Sequence, residues 1–139
     1  MLIMLDTDSC SYIIRLQPIE VLQALQYREE QGDEICISAI TYSELLLGAE
    51  RSGNPHKHLH LIDEFCSRLD YIASWDAEAA RYFSRLQAYL FKQGSPIGNN
   101  DTMIAAHAQS IQATVVTNNE KHFSKVPNLN LENWAKLGG

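Results

Sequence analysis

The sequence lacks the features that mark membrane, secreted and disulfide-stabilised proteins. Its three cysteines, Cys10, Cys36 and Cys66, are an odd number without a C-x-x-C pair, so we expect neither a disulfide framework nor a structural zinc site. No apolar run approaches the roughly 18 residues that a membrane-spanning helix needs. The opening run Met1–Leu5 has no basic residues before it and stops at Asp6, unlike a signal peptide. These absences favour a protein of the reducing cytoplasm without a membrane partner.

A net positive charge is also lacking. The chain carries 11 Lys and Arg against 17 Asp and Glu, which gives a formal net charge of −6. Nucleic-acid binding usually draws on basic residues that neutralise phosphates. An acidic protein that binds phosphates therefore needs a local basic rim, or a divalent cation held by its carboxylates. With 139 residues, of which 45% are hydrophobic, we expect a single domain over residues 1–139 with a well-buried core.

Short apolar runs alternate with helical patterns along the chain. The runs that read as strands are Leu2–Leu5, Glu34–Ser38, Tyr71–Ser74, Thr114–Thr117 and Leu129–Leu131. Helical patterns begin near Ser11, Pro18, Ser38, Lys57, Asp76, Asp101 and Glu120, with a Gly/Pro/Asn loop over residues 94–100. Strands separated by helices predict an α/β protein, a three-layer α/β/α sandwich around a mostly parallel central sheet.

Three acidic residues stand where such a fold gathers its ligands. Asp6 follows the first strand, and Glu44 lies on the helix after the second strand among mainly apolar neighbours. Asp101 begins the helix that leads into the fourth strand. In open α/β sheets ligands bind beyond the carboxyl ends of the strands, and right-handed crossovers bring these element ends to one edge. We therefore expect the three carboxylates to meet there.

Carboxylates gathered in this way suit metal-assisted hydrolysis of a phosphodiester bond. Hard oxygen ligands hold Mg²⁺ or Mn²⁺, and the cation activates water and neutralises the charge that develops on the phosphate. Each acid also has an alternative structural role. Asp6 and Asp101 are residues that cap or favour a helix N-terminus, and Glu44 has the alternatives of facing solvent or pairing with Arg51.

Several segments resemble the motifs of a known family, in the same order and over nearly the whole chain. Met4–Asp8, Ile37–Ala49 and Pro96–Ala108 resemble successive motifs of PIN-domain ribonucleases. Val116–Asn119 and Asn130–Trp134 resemble the VapC-type toxins of type II toxin–antitoxin systems. The resemblance implies a PIN-like α/β/α sandwich, Mg²⁺ or Mn²⁺ as cofactor, and endonucleolytic cleavage of RNA, with tRNA a frequent substrate. It also implies a homodimer and a small VapB-like antitoxin that inserts a segment into the acidic site.

The resemblance further assigns roles to residues by their position in the motifs. By this resemblance, the metal ligands and catalytic residues correspond to Asp6, Glu44 and Asp101. Auxiliary residues, which orient waters or ligands, become Thr7, Asp8, Ser38, Thr41, Thr117 and Asn119. Two positions depart from the family pattern. Many PIN domains carry a fourth acid where this chain has Asn119, a loss that Glu120 compensates only if it reaches the site, and many have Asn in place of Asp8.

Basic residues close to the predicted site are candidates for contacting RNA phosphates. These are Arg15, Lys92, Lys121 and Lys125, and ordinary solvated charge is the alternative interpretation for each. His107, on an Ala-rich helix, is interpreted as a packed or capping histidine rather than a general base.

Two other functions remain alternatives from the sequence. A haloacid-dehalogenase-like phosphatase opens with a D-x-D motif, as in Asp6-Thr7-Asp8, but it also needs a later Lys and a late acidic pair. This chain offers Thr117-Asn118-Asn119 at the late strand instead. The other alternative is a catalytically silent PIN-like binding subunit. Loss of a core acid would favour that function, and all three acids are present.

Overall fold

Five parallel strands form the central sheet, in the order β3-β2-β1-β4-β5. In the computed structural model, which describes residues 1–136, they are β1 (Leu2–Leu5), β2 (Glu34–Ser38), β3 (Tyr71–Ala73), β4 (Thr114–Val116) and β5 (Leu131–Glu132). Each of the four strand pairings is parallel. The predicted α/β fold is confirmed, and the carboxyl ends of the strands lie along one edge of the sheet.

Helices cover both faces of this sheet. They are α1 (Thr7–Arg15), α2 (Ile19–Glu30), α3 (Ala39–Glu50), α4 (Pro55–Cys66), α5 (Ala77–Lys92), α6 (Asn99–Ser110) and α7 (Glu120–Phe123), followed by a 3₁₀ turn at Trp134–Lys136. Across residues 1–136, none of the helices is long and apolar enough to cross a membrane.

The core consists of two apolar layers, one on each face of the sheet. Because side chains alternate along a strand, Ile3 and Leu5 of β1 point to one face and Met4 points to the other. The first layer receives side chains from α1 to α4: Ile13, Leu25, Leu45 and Phe65. The second receives side chains from α5, α6 and α7: Leu90, Ile104 and Phe123. Burial on both faces explains why the central strands read as unbroken apolar runs.

Some predicted boundaries are wrong by a few residues, and local chemistry explains the two that concern the site. Helix α1 begins at Thr7 rather than near Ser11, because the Asp6 carboxylate accepts the backbone N–H of Ser9 and caps the helix. Helix α6 begins at Asn99 rather than Asp101, directly after Gly98, whose φ of 94° turns the chain into the helix. Strand β5 lies at Leu131–Glu132, two residues later than predicted at its start.

All three cysteines are free in the structure. Cys10 and Cys36 are fully buried and pack as small apolar side chains, one in each core layer. Burial raises the pKa of the Cys36 thiol to about 12, so the thiol stays protonated.

Candidate active site

The candidate site begins where β1 ends, between its two neighbouring strands. The register pairs Leu5 with Ile37 of β2 and with Val116 of β4. The backbone N–H of Asp6 continues this pairing by donating to the Val116 carbonyl at 3.0 Å. Asp6 and the first residue after β4, Thr117, are thereby held side by side at the carboxyl edge of the sheet.

Asp6 is a carboxylate buried in this edge, with 3% of its surface exposed. Burial raises its pKa to about 6, and the nearby Asp8 carboxylate adds a smaller effect in the same direction. Hydrogen bonds from Thr117 and Ser9 lower the pKa but do not offset the burial. Asp6 therefore keeps its charge at neutral pH only at a cost in free energy, which a nearby cation would relieve.

Glu44 lies in the second turn of α3, and both of its oxygens are hydrogen-bonded. The Thr7 hydroxyl donates to Oε1 at 2.6 Å, and Nδ2 of Asn100 donates to Oε2 at 3.0 Å. Thr7 follows Asp6 in sequence, and Asn100 precedes Asp101. The carboxylate of Glu44 is therefore held between the immediate neighbours of the other two acids.

Asp101 lies in the first turn of α6, where the helix dipole favours a negative charge. Its Oδ2 lies 3.0 Å from Nδ1 of His122 in α7. The same imidazole nitrogen lies 2.9 Å from Nδ2 of Asn119. Asp101 and Glu44 also line one open pocket, formed at the start of α6. The fold thus brings the three predicted acids to one edge of the sheet.

The predicted auxiliary residues differ in what they contact. Thr7 binds Glu44 and lies 3.3 Å from the buried Thr41 hydroxyl, so Thr7 supports the acid directly and Thr41 supports it through Thr7. Thr117 contacts Asp6, and it also accepts the backbone N–H of Asn119. Asp8 is exposed in the first turn of α1.

Ser38 has a different set of partners. Its hydroxyl caps α3 by accepting the backbone N–H of Ile40, and it lies 2.8 Å from Nδ1 of His107. His107 is 1% exposed and packs edge-on against Trp75. The interpretation of His107 as a packed histidine is confirmed, and Ser38 acts by joining β2 and α3 to α6.

The position of the missing fourth acid is occupied by a small polar network. Asn119 contacts His122, while Glu120 turns to another set of partners. The Glu120 carboxylate accepts hydrogen bonds from Lys136 at 2.6 Å and from Asn133 at 3.2 Å. In this arrangement Glu120 is engaged away from Asp101, so it does not replace the fourth acid.

The four predicted RNA-contacting residues are dispersed. Arg15 lines a groove of about 290 Å³ together with Thr7 and Glu44, so it borders the acidic edge. Lys121 and Lys125 are exposed in and just after α7, close in sequence to His122. Lys92 is exposed at the end of α5, and it does not line the pockets that hold Glu44 and Asp101.

Sequence reasoning missed two side chains that touch the acids. The sequence predicts a loop at Asn100, although its position next to Asp101 is a usable signal. His122 carries no such signal, because a single histidine on a four-residue helix has no periodic pattern to reveal its direction. Both contacts join segments far apart in the chain: Asn100 and Glu44 are 56 positions apart, and His122 and Asp101 are 21 positions apart.

The donor chemistry of this edge fits a hard divalent cation, because carboxylate oxygens are the ligands that Mg²⁺ and Mn²⁺ take. Among residues 1–136, however, no three His, Cys, Asp or Glu side chains lie close enough together to hold an ion between them. The carboxylates of Glu44 and Asp101 are held by Asn100 and His122 instead. Each bonded carboxylate keeps further lone pairs with which it can bind an ion.

Comparison with known proteins shows similarity over nearly the whole chain. Residues 3–129 match the PIN domain family. The chain is 40% identical to the tRNA(fMet)-specific endonuclease VapC of Shigella flexneri, covering 95% of this chain and 97% of that protein. It is likewise 40% identical to the ribonuclease VapC2 of Haemophilus influenzae, with the same coverage.

Solved structures give the same result. The chain superposes with a TM-score of 0.90 and 39% identity on a chain of the Rickettsia felis VapBC2 complex bound to a promoter DNA fragment, covering 96% of this chain and 99% of that one. It superposes with a TM-score of 0.88 and 37% identity on a chain of DNA-bound VapBC from Salmonella typhimurium, with the same coverage.

Proposed function

Since the chain belongs to the PIN-domain family, among the VapC ribonucleases, we propose that it is a metal-dependent endoribonuclease toxin that a VapB-like antitoxin neutralises. The observation that carries this proposal is the placement of Glu44 between the neighbours of Asp6 and Asp101 at the carboxyl edge of the sheet. The family match leaves the phosphatase alternative without support.

The three acids act as ligands for Mg²⁺, with Mn²⁺ as an alternative. When bound, the cation supplies an activated water and neutralises charge on the phosphate. Asp6 contributes a carboxylate held rigidly by its cap to α1. Thr7 and Thr41 orient Glu44, and Asp101 is held at the N-terminus of α6. Fixed carboxylates of this kind lose little freedom when the substrate binds.

The substrate is RNA, and tRNA is the class to test first because the Shigella flexneri relative carries a tRNA in its name. Arg15 borders the acidic groove and is the basic residue best placed to meet a phosphate. Lys121 and Lys125 extend the basic surface on the α7 side, and Lys92 would act only at a distance.

An antitoxin segment fits the groove that contains Glu44 and Arg15. Its wall includes the apolar side chains Ile14, Leu45 and Ile62, so it offers both apolar contact and charges of either sign. We also infer a homodimer from the family resemblance, and the exposed large apolar side chains Leu16, Ile19, Leu47 and Phe91 are the first candidates for its interface. Sedimentation of the purified chain tests the dimer.

The test of the nuclease is cleavage of a total tRNA pool with Mg²⁺, with Mn²⁺ and with EDTA. Wild-type protein is expected to give discrete fragments only with metal, and Asp6→Asn, Glu44→Gln and Asp101→Asn are expected to give none. Glu50→Gln, an exposed acid at the end of α3, is the matched control and should cut normally. Folded wild-type protein that binds metal but cuts neither tRNA nor other cellular RNA would favour the silent binding subunit.

A further inference from the structure

A cavity of about 670 Å³ lies away from the edge of the sheet that holds the three acids. It is bordered by α5, by the end of α6 and by the residues just before β4 and β5, so we call it the amino-edge cavity. Gln109 lines it from the last turn of α6, whereas Asp101 lies in the first turn, about 12 Å away along the helix axis. Its volume falls within the range of about 300 to 1,000 Å³ that ligand sites span.

A single positive charge lines the amino-edge cavity, in a chain whose net charge is −6. Arg85 supplies it, and no carboxylate belongs to the lining that the structure describes. The Arg85 guanidinium lies 5.2 Å from the centre of the Tyr82 ring. Arg81, one turn earlier, binds Glu78, but Arg85 has no ion pair within residues 1–136. A guanidinium that rests on an aromatic face without a carboxylate partner suits a phosphate.

The other polar groups of the lining match the parts of a nucleobase. Tyr89 lies one turn after Arg85 and is 42% exposed, and a flat ring of this kind stacks on the bases of single-stranded RNA. Exposed amide side chains come from the two segments that precede β4 and β5, and they are Gln112, Asn128 and Asn130. Each amide offers a donor and an acceptor to a base edge, whichever way round it is turned.

Two of these amides occupy backbone positions that favour glycine. Gln112 has a φ of 58° and Asn128 a φ of 62°, both in the left-handed region. The N–H of Ala113 donates to the Ala108 carbonyl at 2.8 Å, the bond of a helix ending in which glycine commonly holds the position of Gln112. A glutamine there strains the backbone more than glycine does, and such strain is concentrated at functional sites. The chain thus keeps an amide at the cavity where glycine would cost less.

We propose that the amino-edge cavity binds one nucleotide of a single-stranded RNA segment outside the cleavage site, with the base stacked on Tyr89 and the phosphate on Arg85. This inference rests on the proposed function for the choice of RNA as the polymer. The cavity does not touch the reacting bond, so it holds substrate and transition state equally well. Contacts of that kind lower KM and leave kcat unchanged.

Photo-crosslinking in EDTA locates the bound RNA while the metal needed for cleavage is withheld. The probe is a single-stranded RNA of mixed sequence that contains 4-thiouridine, and the crosslinked peptides of the wild-type protein are identified by mass spectrometry. We expect crosslinks at Tyr89 and in the segment 127–130, in addition to any at the edge that holds the acids. Crosslinks confined to that acidic edge, or the absence of any crosslink, overturn the proposal.

Fluorescence anisotropy with a labelled form of the same RNA, again in EDTA, tests the two named side chains. Tyr89→Leu and Arg85→Gln are each expected to weaken binding about fivefold or more, while Tyr89→Phe, which keeps the ring, binds like wild type. Tyr27→Leu, at an exposed tyrosine of α2, and Arg81→Gln are the matched controls and should change the affinity far less. Wild-type affinity in Tyr89→Leu overturns the proposal. So does a loss that sedimentation traces to a changed oligomeric state, because a second copy of the chain is then the occupant.

Cleavage kinetics distinguish this site from the nuclease. In an active enzyme, Tyr89→Leu is expected to raise the KM for tRNA and to leave kcat unchanged, and a fall in kcat at constant KM overturns the proposal. Crosslinks at Tyr89 in a protein that cuts no RNA support the RNA site and contradict the nuclease. Cleavage together with crosslinks confined to the acidic edge does the reverse.

Discussion

The hydroxyl of Thr7 donates a 2.6 Å hydrogen bond to Oε1 of Glu44, and this bond joins the first residue of α1 to the second turn of α3. The two residues are 37 positions apart in the chain. Because Thr7 follows Asp6 directly, the bond fixes Glu44 relative to the acid that ends β1. The Thr7 hydroxyl thus links the position of the Glu44 carboxylate to that of Asp6.

Replacing Thr7 by Val keeps the shape of the side chain and removes this bond. We expect RNA cleavage to fall about 10- to 100-fold, because partners that orient a metal ligand have effects of this size. The free energy of unfolding should fall by about 1 to 3 kcal/mol, the net value of the hydrogen bonds to Glu44 and Thr41. Single-turnover cleavage and urea denaturation measure the two effects. Thr7→Ser, which keeps the hydroxyl, should cut almost normally, and an active Thr7→Val protein would show that Glu44 needs no such support.

The metal-free protein should not be destabilised by Asp6→Asn, although this variant loses activity. Asn caps a helix as well as Asp does, so the bond to the Ser9 N–H is preserved. The change removes a charge that burial disfavours, and a gain of roughly 1 kcal/mol raises the melting temperature by about 3 °C.

Asp76 provides the matched control for this change. It caps α5 with the same 2.8 Å geometry, accepting the N–H of Ala79, but its side chain is exposed. Asp76→Asn should therefore leave the melting temperature in EDTA unchanged. A lower melting temperature for Asp6→Asn than for Asp76→Asn would contradict the cost assigned to the buried Asp6 carboxylate.

Much of the fold was predictable from local pattern. The strands that lie at the centre of the sheet, Leu2–Leu5, Glu34–Ser38 and Thr114–Val116, are apolar on both faces and read as unbroken runs. Helix starts were less predictable where the signal was a single capping contact. Asp6 both caps α1 and lies at the candidate site, whereas the sequence alone presents the capping role and the site role as alternatives.

The site was predictable only as far as motifs and strand ends reveal it. The positions of Asp6, Glu44 and Asp101 follow from the topology, and their roles as metal ligands stay a prediction. Of the partners of these acids, only Asn100 carries a signal, its position next to Asp101, because both Asn100 and His122 reach the acids through tertiary contacts between separate helices. Side-chain direction on the short helix α7 depends on packing that no periodicity encodes.

His107 predicts a pH dependence of stability. It is 1% exposed and its Nδ1 lies 2.8 Å from the Ser38 hydroxyl. Burial lowers its pKa from the ordinary value of 6.5, although the Ser74 carbonyl and the Asp76 carboxylate act in the opposite direction. The unfolded chain therefore binds a proton more readily than the folded one. The stability that neutral His107 contributes is complete above about pH 6.5 and is lost as the pH falls below that value.

Urea denaturation between pH 7.5 and pH 5 measures this effect. The free energy of unfolding of wild type should fall more steeply with decreasing pH than that of His107→Gln, whose amide keeps a partner for Ser38 but does not titrate. His56→Gln, at an exposed position, should keep the wild-type slope. Parallel slopes for wild type and His107→Gln would show that the histidine is protonated equally well in both states.

Gly98 is predicted to be needed for the position of Asp101. Its φ of 94° and ψ of 152° lie in a backbone region that residues other than glycine rarely adopt, and the next residue begins α6. A methyl group would meet no atom within 4 Å, so Gly98→Ala acts through the backbone alone. We expect a loss of about 1 to 3 kcal/mol in unfolding free energy. Cleavage should also fall, because the start of α6 shifts together with Asp101.

Gly48→Ala is the control for this change, because its added methyl group also meets nothing within 4 Å. Gly48 lies inside α3, where Ala is favoured over Gly, so this variant should gain about 0.5 to 1 kcal/mol. Urea denaturation of both variants, together with their cleavage rates, separates the backbone effect from the added methyl group. If Gly98→Ala were as stable and active as wild type, the turn before α6 would be adaptable, and Asp101 would owe its position to His122 and the packing of α6 instead.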